Sequence, residues 1–116
     1  MEIVSSDKRG WIKKELIRDT ILWISFTRKG YARGGDIHRG LQYNTVIKGQ
    51  FQVRQLYPKG GESVRTLIAG RSIIIPFGIP HVFIAQEDSI MIEWHDHELP
   101  PYEEKEFFEP YRKLCK

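Results

Sequence analysis

Asp36-Ile37-His38 sets a carboxylate and an imidazole two residues apart, and Gln42 and His81 add a carboxamide and a second imidazole further along the chain. Residues two apart on a strand share a face, so Asp36 and His38 are expected to point together, with a bend bringing Gln42 alongside. If His81 meets them, Asp36, His38, Gln42 and His81 form a donor set of two imidazoles, a carboxylate and a carbonyl oxygen. That set suits one divalent transition metal, Fe(II), Mn(II), Ni(II) or Zn(II). The same groups without a metal suit proton transfer, because an imidazole titrates near neutrality. In that reading His38 is the base that removes a proton next to a ketone and Asp36 orients or shares it. Arg33 or His81 then steadies the developing enolate oxygen, and Arg33 or Arg54 clamps a diphosphate by bidentate bonds. The plainer alternatives are a buried Asp36–His38 hydrogen bond with no ligand, a structural His81 under a turn, and a solvated Arg54.

These residues must be positioned by strands. Ile73, Ile74 and Ile75 are stiff β-branched residues, Pro76 and Gly78 punctuate a turn, and His81 to Ile84 reads as the strand that follows. Upstream, Ser5 to Gly10 reads as a turn, and Leu16 to Phe26 as two short strands around Arg18-Asp19-Thr20. Tyr43 to Ile47 and Phe51 to Leu56 flank Lys48-Gly49 like the arms of a hairpin. Ser63 to Ala69 and Ser89 to Trp94 are further strands, and the four glycines Gly30, Gly34, Gly35 and Gly40 allow the backbone to bend. Short strands at regular spacing with Gly/Pro turns point to an all-β sandwich or barrel. After Leu99-Pro100-Pro101, Phe107, Phe108, Tyr111 and Leu114 recur at roughly helical spacing, so the tail reads as a short helix or strap.

At 116 residues the chain is expected to form one domain, with the barrel over about 10–98 and the strap over 99–116. Lys plus Arg number 18 against 15 Asp plus Glu, without the basic runs that nucleic-acid binding needs. No long apolar run and no charged-then-apolar leader are present, so a soluble, cytoplasmic protein with no membrane partner is expected. Cys115 has no partner in the sequence and reads as a bystander. His95-Asp96-His97 with Glu98 has the spacing of two ligands on one strand face, but beside Pro100-Pro101 it reads as an exposed strand end. Trp23, Tyr43, Phe51 and Trp94 could stack on a sugar or base, but in so small a barrel they read as core.

The frame Gly70, five residues, Pro76, Phe77, Gly78, two residues, His81 resembles the second signature of the cupin superfamily, with Ala85 where Asn is usual. Asp36-Ile37-His38, three residues, Gln42, six residues, Gly49 resembles the first signature, in which His-x-His and Glu precede the Gly. Three segments are similar to the branch of dTDP-4-dehydrorhamnose 3,5-epimerases and dTDP-sugar 3,4-ketoisomerases. These are Asp7-Lys8-Arg9-Gly10-Trp11, Arg33 to His38, and Ile75 to Phe83. Asp36 stands where the epimerases carry their catalytic histidine, and His38 matches the second histidine of the ketoisomerase pattern. The resemblance implies a cupin double-stranded β-helix, a jelly-roll barrel with a short C-terminal extension. It implies an isomerase or epimerase acting on, or binding, a nucleotide-linked sugar. The alternatives are a metal-dependent cupin, oxygenase or isomerase, on another small molecule, and a non-catalytic ligand-binding cupin. Open-edged barrels often hide an edge against a second copy, so a homodimer through the strands before Arg33 is expected.

Overall fold

The computed structural model describes residues 2–38, 40–96 and 105–116. Its strands are β1 (Glu2–Asp7), β2 (Gly10–Ile17), β3 (Thr20–Thr27), β4 (Ala32–His38), β5 (Gln42–Lys48) and β6 (Gln50–Tyr57). They continue with β7 (Gly61–Ile68), β8 (Ser72–Ile75), β9 (His81–Ala85), β10 (Ser89–His95) and β11 (Lys105–Phe107), before a single helical turn, α1 (Glu109–Arg112). Two antiparallel sheets face each other, one in the order β1-β2-β3-β10-β5-β8 and the other β11-β4-β9-β6-β7. The side chains between them alternate with outward ones along each strand, as a pleat requires. Val46, Phe51, Val53, Ile75, Phe83 and Met91 are fully or almost fully buried there. Among the described residues no helix is long and apolar enough to cross a membrane.

Two local expectations are corrected. The segments flanking Lys48-Gly49 do not pair as a hairpin: β5 pairs with β10 and β8, while β6 pairs with β7 and β9. Gly49, at φ +85°, packs so closely on Asp88 and Ser89 that a side chain there would overlap them. The turn therefore hands the chain from one sheet to the other. Ser5, Ser6 and Asp7 are not a turn but pair with Ile12, Trp11 and Gly10. Polar residues suit this edge strand because β1 is exposed along almost its whole length.

The strand that carries Asp36 and His38 is irregular in a way that matters. Gly34 pairs with Val82 and Asp36 with His81, so Gly35 is an extra residue, a β-bulge. Arg33 opposite Phe83 and Asp36 opposite His81 then share the inner face although they are three residues apart. Gly34 and Gly35 have φ of +97° and +74°, a left-handed backbone open mainly to glycine. A Cβ on Gly35 would lie 2.7 Å from the Arg112 Cα. Into the space left by that missing atom the C-terminal tail docks. Phe108 donates its N–H to the Gly35 carbonyl at 2.9 Å, and Arg112 Nη1 donates to that of Gly34 at 3.1 Å.

The tail expected as a helix or strap is thus a short strand on β4 followed by one helical turn and a 3-10 turn over Lys113–Cys115. Tyr111 and Cys115 close with Ala32 and Val82 into a small apolar cluster on the outer face of the second sheet. Burial there pushes the Cys115 thiol pKa up. Gly35→Ala is expected to cost about 2–4 kcal/mol through the clash and the left-handed backbone and to release the tail. Thiol labelling without denaturant, slow in the native chain, should become fast in the variant; continued protection of Cys115 would contradict this account of the docking.

Candidate functional site

Four strands aim polar side chains into one end of the space between the sheets. β4 contributes Asp36 and His38, β9 His81, β5 Gln42 and Asn44, and β10 Glu93 and His95. Asp36 Oδ1 lies 3.1 Å from His38 Nε2 and 3.0 Å from His81 Nε2. These distances are those of charge-assisted hydrogen bonds and are also short enough for the three side chains to be ligands of one ion.

His81 sharpens the point. Its Nδ1 is 2.9 Å from the Ile79 carbonyl oxygen, and a carbonyl only accepts, so Nδ1 carries the proton. The neutral ring then presents the Nε2 lone pair to the Asp36 oxygen. Two electron-rich atoms at 3.0 Å repel unless a cation, a proton or a metal, lies between them. Burial alone would raise the Asp36 carboxyl pKa; where the cation is a proton, so that the rings are charged and donate, His38 and His81 outweigh burial and hold it well below the ordinary carboxylate range.

Beside this group lies a second one. Glu93 Oε2 accepts from His95 Nε2 at 2.8 Å, and Glu93 Oε1 accepts from Gln42 Nε2 and Asn44 Nδ2, each at 3.0 Å. Burial and the nearby Asp36 charge push the Glu93 carboxyl pKa up; the His95 and Asn44 bonds prevail and lower it. Gln42 Nε2 also donates to Asn44 Oδ1 at 2.7 Å, while Gln42 Oε1, fully buried, has no hydrogen-bond partner among the described residues. The His38 ring joins the two groups, stacked on His81 with centroids 5.5 Å apart and edge-on to His95 at 4.4 Å.

Of the residues singled out from the sequence, Asp36, His38 and His81 converge, and Gln42 reaches them by way of Glu93. Arg33 shares their face but is engaged elsewhere: its Nε donates to Thr27 Oγ1 at 3.1 Å and its Nη2 to the Phe26 carbonyl at 3.2 Å. Burial, with help from the Arg9 charge, pushes its pKa down to about 10. Arg54 pairs with Val82 of the outer cluster and donates to Gln52 Oε1 at 2.8 Å, on the face away from His81. Gln55 takes the inner position opposite His81 and is fully buried.

The reading of His95 as an exposed strand end is corrected, since its side chain is 11% exposed and bonded to Glu93. His97 and Glu98 lie outside the described residues. A period of two counted from buried Met91 would have placed Glu93 and His95 inside. Tyr43 and Trp94, read as core, stack on each other half-buried on the outer face, with ring centroids 5.4 Å apart.

Gln42→Glu would set a second carboxylate against Glu93. One of the two pKa values must then rise, so the penalty, about 1–3 kcal/mol, applies above that raised value and fades as pH falls through it. Melting in a chelator should show a larger deficit relative to the native chain at pH 8 than at pH 5, and added Mn(II) or Zn(II) should reduce it. An equal deficit at both pH values would contradict the placement of Gln42 beside Glu93.

No protein-family model and no curated protein matches this sequence. Solved structures do match. CapF with the inhibitor 3-isopropenyl-tropolone superposes with a TM-score of 0.76 at 16% identity, over 90% of this chain and 34% of that one. The capsular polysaccharide assembling protein CapF from Staphylococcus aureus gives 0.73 at 16% identity, over 92% and 32%. Oxalate decarboxylase from Bacillus subtilis, at pH 4.6, gives 0.73 at 17% identity, over 87% and 28%. The chain spans about a third of the length of each. The likeness is one of fold: this chain has the all-β jelly-roll fold of the cupins.

Proposed function

We propose that this chain is a metal-dependent small-molecule cupin domain in which Asp36, His38 and His81 hold one divalent transition ion, Fe(II), Mn(II), Ni(II) or Zn(II), with the Gln42 carboxamide beside them. The observation that carries this reading is the 3.0 Å approach of His81 Nε2 to the Asp36 oxygen while Nδ1 is committed to the Ile79 carbonyl. When bound, the ion supplies a Lewis acid that polarises a substrate oxygen. The ionised Asp36 offsets part of its charge. His81 is held in one tautomer by the Ile79 carbonyl, which keeps Nε2 aimed inward. Glu93 and His95 provide a hydrogen-bonded acid–base pair next to His38, where a proton taken from a ligand can be received.

A second reading puts a proton where the first puts a metal. His81 is then an imidazolium paired with Asp36, and His38 is the base next to the ketone of a nucleotide-linked sugar, in an isomerase or epimerase. The structural likeness to a capsular polysaccharide assembling protein favours it. Arg54, on the outer face, has no part in it.

Elemental analysis of protein purified without chelator, followed by melting with each ion and with a dTDP-sugar, separates the two. The metal reading expects about one equivalent of a transition ion, a raised melting temperature on adding it, and affinity at least about tenfold weaker in Asp36→Ala. No metal and no shift with any of the four ions, but stabilisation by the nucleotide sugar, would transfer the function to the second reading.

A homodimer is proposed as well, through β1. Among the described residues no strand pairs with the outer edge of β1, which also exposes Ile3 (62%) and Val4 (41%), a combination that favours pairing with a second copy. Light scattering at micromolar concentration is expected to give twice the chain mass; a monomer would overturn the proposal.

A further inference from the structure

His38 belongs to two sets of three donors, Asp36–His38–His81 and His38–Glu93–His95, and within each set the donor atoms lie within 4.8 Å of one another. Each set is two imidazoles and one carboxylate. We propose that His38, Glu93 and His95 form a second position for the same divalent ion, an alternative to the Asp36–His38–His81 position and sharing His38 with it. This inference rests on the metal reading and extends it.

The second set is built as a chelate. Glu93 and His95 are two apart on β10 and share its inner face, with Oε2 and Nε2 2.8 Å apart, close enough for both to ligate one ion. The other oxygen, Oε1, is tethered at 3.0 Å by Gln42 Nε2 and at 3.0 Å by Asn44 Nδ2. That outer tether orients the carboxylate and reserves Oε2 for the cavity. Because Gln42 spends its amide nitrogen on Asn44 and Glu93, its buried Oε1 is left over as a further oxygen, with no hydrogen-bond partner among the described residues. The third donor comes from a facing strand, the His38 ring meeting that of His95 with centroids 4.4 Å apart.

Shared use of His38 decides the stoichiometry. An imidazole that keeps its ring proton has one lone pair to give, so the two positions exclude each other and the chain takes one ion. With the ion on one side, the carboxylate–imidazole pair of the other side, Asp36 with His81 or Glu93 with His95, remains to accept and return a proton.

The test is calorimetric and optical titration of the chelator-stripped full chain with Co(II), on the native protein, Asp36→Ala, Glu93→Gln and the double variant. Circular dichroism and melting establish that each is folded. One equivalent is expected for the native chain. Asp36→Ala should still bind one equivalent, about 10- to 100-fold more weakly, and adding Glu93→Gln should weaken that residual binding by at least about tenfold again. His95→Ala in the Asp36→Ala background should act like Glu93→Gln, which keeps the conclusion if one double variant fails to fold. Residual binding unchanged by the second substitution, no residual binding in Asp36→Ala, or two equivalents in the native chain would each overturn the alternative position alone. Absence of binding in the native chain would instead overturn the metal reading of the first position, and this one with it.

Discussion

One extra residue in β4 organises this molecule. Without the bulge at Gly35, strict alternation would put Arg33 and Asp36 on opposite faces of the sheet. With it, both face inward, and Asp36 and His38 stand opposite the His81 strand. The same residue shapes the outer face, because the left-handed backbone of Gly34 and Gly35 and the missing Cβ of Gly35 make the seat for the C-terminal turn. Site and tail therefore meet at the same two glycines. The glycine pair lets the strand be strained in a direction that any larger residue would resist.

The second constraint is electrostatic. An ionised carboxylate among apolar side chains is costly unless it is paired, and Asp36 has two imidazoles on one oxygen. His81 cannot donate to both the Ile79 carbonyl and Asp36 from a neutral ring, so a proton or a metal between His81 and Asp36 would relieve their close approach. Whether that cation is a proton or a metal distinguishes the two functional readings, and both use the same three side chains. Glu93 is a parallel case on the facing sheet, its carboxyl pKa raised by burial but lowered on balance by His95 and Asn44, with Gln42 also donating to it. Two carboxylates thus flank one shared histidine, and each is supported by its own imidazole.

The cupin likeness and the chemistry sit on different levels. Superposition over 87% of the chain or more, at 16 to 17% identity, tells of a shared scaffold: two facing sheets that leave one end of the interior open to polar groups. What the interior does follows from the side chains that line it. Here those side chains come from β4, β5, β9 and β10, and the donor set they make mixes residues from both signature segments with two from β10 that lie outside them.

Much of this was legible in the residues themselves. The Ile73–Ile75 run, the Pro76 and Gly78 turn and the spacing to His81 were enough for the fold class, because β-branched runs and turn residues act locally. The spacing of Asp36 and His38 put them on one face for the same local reason. Other features depend on the fold. Gln42 was legible as a site residue but not as the partner of Glu93, since that bond joins positions 51 apart in sequence. The pairing of β5 and β6 with different sheets was hidden, because a Gly turn between two strands reads alike whether the chain folds back or crosses over. His95 looked like an exposed strand end, and Arg54 stood open between a solvated face and a diphosphate clamp, until register chose their faces. A strand's period of two says which residues travel together, not which face is inside, and only packing against the second sheet makes that choice. Sequence alone thus indicated most of the strands, the turn and the shared face of Asp36 and His38, and offered Gln42 and His81 as their partners; the tertiary structure decided which face each strand buries, and with it that Glu93 and His95 lie beside His38 while Arg54 points away.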